Sequence, residues 1–251
     1  MKTFKLFSVL VAATLVLFTS CLGDGNNTRN LTNQFAVARM DSKTFKTVLD
    51  INGLGAVYSP TAEPLITADQ CYLVDLTIDF SSAENANAEK NGYYQATIGN
   101  INEVTKGISI QQVADTTKLL TDEQPISELV INNYLSGYLL MAASFDQLKN
   151  QQNRWEIYFD PTQEPAEDKN GNRYYDLFIR VVKRVDGDGS STKELIYRAF
   201  EVKNFIDKCI EKEKAASKNA VNLKFNYVQS IDTKNDQTTM KWANYTAAMP
   251  F

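Results

Sequence analysis

Short runs of alternating apolar and polar residues recur along most of this 251-residue chain, and they constrain its fold more than any other feature. The clearest run is CYLVDLTIDF at 71–80, in which every second residue from Tyr72 to Phe80 is apolar. A period of two over nine residues is typical of an antiparallel strand with one buried face. Because similar runs recur between Gly-, Asn- and Asp-rich turns, the sequence predicts an all-β protein.

These runs fall into two groups, which predict two domains. Five strand candidates within residues 34–115, with a Gly-rich bend at GLGAVYSP, indicate a small OB-like β-barrel. The polar stretch 116–125 is predicted to be a linker, and residues 126–251 are predicted to form a β-sandwich-like domain. Within that second domain, YYDLFIRVVKRV (174–185) and KELIYRAFEV (193–202) are predicted to pair as a hairpin across DGDGSS.

One segment of the second domain has a helical period instead. The spacing i, i+3, i+4, i+7, i+8 is occupied by Val202, Phe205, Ile206, Cys209 and Ile210. We expect a single amphipathic helix here, packed on a sheet, with Asn204 as its N-cap. Its apolar face would contain Cys209, which favours a buried cysteine over a reactive one. Cys71 and Cys209 could pair in an oxidising compartment, but their assignment to different domains favours two unpaired thiols.

The first 20 residues have the order of a secretory signal peptide. Two lysines precede the uncharged run Leu6–Ser20, which at 15 residues is too short to span a membrane. The next residue, Cys21, is the predicted site of lipid attachment, and the Gly/Asn-rich residues 21–33 are predicted to be a flexible tether. We therefore expect a protein of the cell envelope, anchored through lipidated Cys21 in the outer membrane.

Composition and charge exclude several classes of function. The chain has no histidine, which excludes Ser/His and Cys/His catalysis and any His-ligated metal. Without the leader it has 24 basic and 30 acidic residues, a net charge of −6, and no basic stripe, so nucleic acid is not an expected partner. No serine has a credible base, and a hydrolase that uses carboxylates is the least favoured interpretation. We expect no enzymatic activity and no cofactor.

Two groups of side chains are candidates for ligand contacts. Trp155, Tyr174 and Tyr175 could present rings to sugars, because one member of an adjacent pair on a strand must face outward. Aromatic residues are also favoured in strands for packing reasons alone. In DKNGNR, the candidates for calcium ligands are Asp168, Asn170 and Asn172. The glutamate that completes a calcium loop is absent, and Asn-Gly favours a turn.

The combination of these features resembles a known family. The segment CLGDG after the leader, the stretch GAVYSP…ITADQCYLVDLTIDF, and the late helix followed by LKFNY are similar to the NigD-like lipoproteins. The resemblance implies an OB-type domain followed by a β-sandwich, an accessory or immunity-like role, and no catalytic residues. This chain departs from the family at CLGDG, where relatives carry an acidic run and only Asp24 is acidic here.

From the resemblance we expect a non-enzymatic binding or accessory module that contacts an unidentified envelope protein. The alternative is a surface glycan-binding lipoprotein that uses exposed aromatic residues.

Overall fold

The computed structural model describes residues 27–234 and 237–251, so the predicted leader (1–20) and Cys21 lie outside the described residues. Strands dominate, and the predicted all-β fold class is confirmed. The strands are β1 (Thr28–Met40), β2 (Thr47–Ile51), β3 (Gly55–Tyr58), β4 (Cys71–Asp79), β5 (Tyr94–Gln95), β6 (Thr97–Val104), β7 (Ile108–Ile110), β8 (Glu123–Gln124), β9 (Glu128–Leu135), β10 (Tyr138–Lys149), β11 (Gln152–Tyr158), β12 (Ala166–Glu167), β13 (Arg173–Val185), β14 (Asp188–Glu201), β15 (Ala220–Lys234) and β16 (Gln237–Pro250). The α-helices are α1 (Ala88–Asn91) and α2 (Lys203–Ala215), and short 3-10 helices lie at Glu63–Leu65 and Ala83–Asn85. Within the described ranges, no helix is both long and apolar enough to cross a bilayer.

The first six strands form one sheet in the order β5-β3-β2-β1-β4-β6. Its two edges, β5 and β6, are consecutive pieces of the segment 94–104, which bends at the buried Ala96. Because β5 pairs with β3 and β6 pairs with β4, this one segment closes the sheet into a barrel. The inward residues of β4 alternate from Tyr72 to Ile78, as their period predicts, and contribute to the barrel core.

Two parts of the chain differ from the predicted domain limits. Residues 28–33, predicted as tether, form the start of β1 and pair with β4. The strand bulges there at Asn33, whose φ is +50°. One of the five strand candidates of the predicted first domain is GISIQQV (107–113), but its part Ile108–Ile110 pairs in parallel with β11 in the second domain. A period of two identifies a strand but not its partner, which explains this difference.

The other strands form a sandwich of two sheets. One sheet has the order β14-β10-β9, and the larger sheet has the order β16-β15-β13-β11-β7, with β8 and β12 also pairing with β13. The apolar faces of both sheets pack together with α2 into one core. Its largest fully buried side chains are Phe145, Trp155, Tyr175, Phe200 and Phe225.

The predicted hairpin between β13 and β14 is wrong. β13 pairs with β11, whereas β14 pairs with β10, the strand that precedes β11 in the chain. The connections at 150–151 and 186–187 therefore lie side by side, and both cross from one sheet to the other. The pair β10–β14 and the pair β11–β13 are thus two halves of one long antiparallel ribbon, which folds over at these connections. A Cβ at Gly187 would approach Leu148 Cβ to 2.5 Å, so the fold of the ribbon requires a residue without a side chain there.

Helix α2 lies where the helical period predicts it. Phe205 and Cys209 are buried in the sandwich core, as expected from the apolar stripe. The predicted cap is wrong, because the N-cap is Val202 rather than Asn204 and no side chain caps the helix. The backbone N–H of Val202 instead donates to the carbonyl of Gly137, 2.9 Å away, so a tertiary contact fixes where the helix begins.

The barrel packs on the outer face of the three-stranded sheet. A third apolar cluster joins the two parts, with Phe35, Val37 and Cys71 from the barrel side and Leu140 and Ala199 from the sheet. These residues are all nearly inaccessible to solvent, so the barrel and the sandwich share a dry contact.

The segment between β7 and β8, which contains most of the predicted linker 116–125, lies on the outer face of the larger sheet. Arg180 of β13 donates to both carboxylate oxygens of Glu123, at 2.7 and 2.5 Å. The same guanidinium donates to the carbonyl oxygens of Asp115 and Lys118, at 2.8 and 2.6 Å. These contacts bind the segment tightly to the second domain.

Candidate functional site

The predicted aromatic ligand platform is not present as an exposed surface. Trp155 and Tyr175 are 2% and 1% exposed, because they lie on the strand faces that point into the sandwich core. The prediction that their rings form an exposed platform for sugars is therefore wrong. Tyr174 points to the other side of β13, is half-buried, and has Lys224 Nζ 4.9 Å from its ring centroid. Tyr175 donates its hydroxyl to Glu213 Oε1 at 2.9 Å, which satisfies it within the core.

The calcium candidates form a closed turn. Asp168 Oδ1 accepts the backbone N–H groups of Asn170 and Asn172, at 2.8 and 2.9 Å. Asp168 Oδ2 accepts the side-chain amide of Asn172, and these hydrogen bonds, led by that amide, lower the pKa of Asp168. The carboxylate is thus occupied by protein donors, as in an Asx turn. Elsewhere in the described part of the chain, no cluster of three or more acidic or cysteine side chains is arranged to hold a metal.

The two described cysteines are unpaired and buried. Cys71 lies in the contact between barrel and sandwich, and Cys209 lies in the sandwich core. Burial raises the pKa of each thiol to about 12, so both stay protonated at neutral pH. They act as small apolar residues, the role that the sequence favours.

A network of three polar side chains joins the barrel to the three-stranded sheet. The Tyr138 hydroxyl donates to Asp69 Oδ1 at 2.7 Å and accepts from Lys106 Nζ at 2.8 Å. Burial opposes the charge of Lys106, but its bonds to Tyr138 and Asp69 outweigh burial and raise its pKa. Burial also raises the pKa of Tyr138 to about 12. Neither group is a base at neutral pH, so the network fixes the contact between the two parts.

An exposed apolar surface lies at one end of the barrel. We call it the apolar tip and define it by three side chains that are 58%, 76% and 69% exposed: Met40, Phe45 and Leu65. Met40 pairs with Thr47 across the β1–β2 hairpin. Glu63 Oε1 accepts the backbone N–H of Thr47 at 3.0 Å, which holds the 3-10 helix containing Leu65 at the same end.

The turn that carries Phe45 is fixed by its own hydrogen bonds. Asp41 Oδ1 accepts the backbone N–H and the hydroxyl of Thr44, each at 2.8 Å, and these bonds lower the pKa of Asp41. The backbone N–H of Phe45 donates to the carbonyl of Asp41 at 2.8 Å. Phe45 has a φ of +57°, a conformation that costs a non-glycine residue about 1–2 kcal/mol. The turn therefore holds an aromatic ring in solvent at a cost in backbone strain.

The apolar tip has no clear signature in the sequence. Another of the five strand candidates of the predicted first domain is FKTVLDI (45–51), in which Phe45, Leu49 and Ile51 share one parity and would face the core. Leu49 and Ile51 do lie in the barrel core. The left-handed backbone at Phe45 breaks the alternation, and β2 begins only at Thr47. The nearest sequence signal is the turn-forming DSKT immediately before it.

Comparison with known proteins identifies the first domain. Residues 25–102 match the family model described as a lipoprotein OB domain, so the OB-type domain of a lipoprotein family is confirmed for this part of the chain. A search of curated proteins found no significant match.

Two solved structures share the fold over most of this chain. An uncharacterized protein from Parabacteroides merdae is 25% identical with a TM-score of 0.75, over 86% of this chain and 97% of that one. A putative lipoprotein from Bacteroides fragilis is 9% identical with a TM-score of 0.53, over 87% of this chain and 96% of that one, and supports the fold alone. A NigD-like immunity protein from Bacteroides caccae is 13% identical over 89% of this chain and 99% of that one, but with a TM-score of 0.43 it carries no functional argument.

Proposed function

We propose that this chain, whose residues 25–102 match a lipoprotein OB domain, is a lipid-anchored, non-enzymatic binding module of the cell envelope. The anchor would be a diacylglycerol thioether on Cys21, and the membrane would be the outer membrane. The partner would be another envelope protein, bound through the apolar tip.

The observation that carries the proposal is the apolar tip. Exposed apolar residues that stand singly need no explanation, but here three such residues lie in segments that meet at one end of a small barrel. Aromatic residues that are held rigidly are typical centres of binding energy in protein interfaces, since little side-chain entropy is lost on binding. The strained turn at Phe45 is costly for the free protein, which is the pattern expected where a side chain is kept in place for a partner.

A glycan-binding function has less support. It depends on the rings of Trp155, Tyr174 and Tyr175, and two of these are inside the sandwich core. A single half-buried tyrosine beside a lysine is not a platform for a sugar ring. We therefore do not propose it.

Crosslinking in intact cells tests the partner. We expect the wild-type chain to recover one specific envelope protein and Phe45→Ala to lose it. Val113→Ala is the matched control, because Val113 is also an apolar residue, 71% exposed, but lies outside the apolar tip. Both variants should unfold within about 0.5 kcal/mol of wild type, since neither side chain is buried. Equal recovery by Phe45→Ala and wild type would refute binding through the apolar tip.

A separate measurement tests the anchor. Mass spectrometry of the native protein should find an N-terminal Cys21 that carries a diacylglycerol, and membrane fractionation should place the protein with the outer membrane. Cys21→Ser should release the chain from membranes into the soluble fraction. An intact leader with an unmodified Cys21 would refute the anchor and leave the test of the apolar tip unaffected.

A further inference from the structure

A small cleft opens at the side of the sandwich. Residues 105–110 cross from one sheet to the other on this side. The backbone N–H of Gly107 donates to the carbonyl oxygen of Ala199 in β14 at 2.9 Å, and β7 then pairs with β11. The pairing with β7 covers only 156–158, so the start of β11 is left open beneath the crossing chain. The cleft that remains has a volume of about 350 Å³.

The charge of this cleft is one-sided. Four basic side chains line it, and we call it the cationic cleft: Lys106, Arg154, Arg184 and Arg198. None of the described residues that line it is acidic. Lys106 is paired with Asp69, and Arg154 is paired with Glu156. In the described part of the chain, neither Arg184 nor Arg198 has a carboxylate within 4 Å.

Arg198 is the unusual member, because it faces inward. It shares the face of β14 that carries Ile196 and Phe200, both of which belong to the sandwich core. Its guanidinium lies 5.5 Å from the centroid of the Trp155 ring and donates one hydrogen bond, to the carbonyl of Tyr197 at 2.7 Å. Burial lowers the pKa of Arg198, and no neighbouring negative charge opposes this shift. A partly buried cation without a counter-ion destabilises a protein unless another group compensates it.

A buried hydrogen-bond donor without a partner lies beside Arg198. Trp155 also lines the cleft, and its indole N–H is buried without a hydrogen-bond partner among the described residues. Buried indole N–H groups normally find an acceptor. The cleft therefore brings together the Arg198 guanidinium, which has no carboxylate partner, and the unpaired indole N–H of Trp155, with a further cation, Arg184, at its exposed rim.

We propose that the cationic cleft binds a small molecule through an oxyanion, that is, a phosphate, sulfate or carboxylate group. The fork of the Arg198 guanidinium would donate two parallel hydrogen bonds to two oxygens of that group, and the indole N–H of Trp155 would donate a third. Arg184 would attract the anion and stay near the solvent. The volume of the cleft suits a ligand at the small end of the usual range. This site lies on the sandwich and is independent of the partner proposed for the apolar tip.

Calorimetric titration of the purified full chain with sodium phosphate, sodium sulfate and sodium acetate tests this proposal, with sodium chloride at matched ionic strength as the blank. We expect saturable binding of at least one of the three anions, and at least tenfold weaker binding by Arg198→Met. Lys193→Met is the matched control, because it removes one exposed positive charge from the same strand outside the cleft. It should bind as wild type does. Trp155→Phe keeps the ring but removes the N–H, and we expect it to weaken binding severalfold.

Thermal unfolding supplies a second readout. The anion that binds should raise the melting temperature of wild type and Lys193→Met, but not that of Arg198→Met. Without anion, Arg198→Met should melt at or above the wild-type temperature, because it removes an uncompensated charge. The proposal is overturned if none of the three anions binds saturably below ~10 mM. It is equally overturned if Arg198→Met and Trp155→Phe both bind as tightly as wild type.

Discussion

The ion pair between Arg180 and Glu123 should be the most sensitive polar contact of the second domain. The two side chains are 2% and 0% exposed, so removal of either one leaves a charge buried without its partner. Arg180→Met removes two hydrogen bonds to the carboxylate and two to backbone carbonyls, and leaves Glu123 with the backbone N–H of Leu120 at 2.8 Å. We expect a loss of about 3–5 kcal/mol. This is a large part of the ~5–15 kcal/mol by which a domain is usually stable.

The double variant Arg180→Met/Glu123→Leu separates the charge effect from the packing effect. Because it removes both charges, we expect it to be more stable than Arg180→Met alone, even though two carbonyls still lose their donor. The coupling energy between the two positions should therefore be at least ~2 kcal/mol. Lys203→Met is the control, since its ion pair with Asp207 is half-exposed and should contribute at most ~1 kcal/mol.

Urea unfolding monitored by circular dichroism measures these differences, provided that the slope with denaturant is the same for all variants. For a domain of this size, 4 kcal/mol corresponds to a shift of ~8–16 °C in melting temperature. Two results would refute the reasoning. One is a loss below ~1 kcal/mol in Arg180→Met, and the other is a double variant whose loss equals the sum of the two single losses.

Three further predictions follow from single sites. Gly107→Ala should destabilise the protein by ~1–3 kcal/mol, because a Cβ there would lie 2.1 Å from the ring of Phe200, and an unchanged urea midpoint would contradict this. Neither described cysteine should be labelled by a thiol reagent in the folded protein at neutral pH, since both pKa values are about 12, and labelled peptides in a mass spectrum would contradict this. The hydrogen bond from Tyr138 lowers the pKa of Asp69 in the folded protein. The stability that ionised Asp69 contributes is therefore present above the ordinary aspartate pKa, and it is lost as pH falls through the lower pKa of the folded state. Asp69→Asn should therefore lose less stability than wild type does below about pH 4, and parallel pH profiles would contradict this.

Elements whose pattern is local could be predicted from the sequence. The strand at 71–80 and the helix around Phe205 occur where their periods place them, and the inward residues are the apolar ones. The burial of Trp155 could also have been predicted, because it alternates with Ile157 and Phe159. A period reports which side chains share a face, and that information is contained in the segment itself.

Pairing between strands could not be predicted in the same way. The turn DGDGSS joins two strands of suitable length, yet they belong to different sheets. Close packing of Gly187 against Leu148 depends on a segment about 40 residues earlier in the chain. The contacts of the predicted linker could not be predicted for a similar reason, since Arg180, which binds Glu123, lies more than 50 residues later in the chain. Such contacts have no local signature.

The sites proposed here lie where the local pattern is broken. On the inward face of β14, Ile196 and Phe200 flank Arg198, which a purely structural strand would replace with an apolar residue. In the β1–β2 hairpin, Phe45 takes a backbone conformation that glycine would adopt without strain. Each exception lowers stability in the free protein. The hydrogen bond to Tyr197 and the Trp155 ring leave Arg198 without a counter-ion, and the hydrogen bonds of the turn leave the Phe45 ring in solvent. Since sequences are otherwise locally consistent with their folds, an uncompensated exception is expected where a ligand or a partner supplies the missing contact. An oxyanion would supply it at Arg198, and an apolar protein surface would supply it at Phe45.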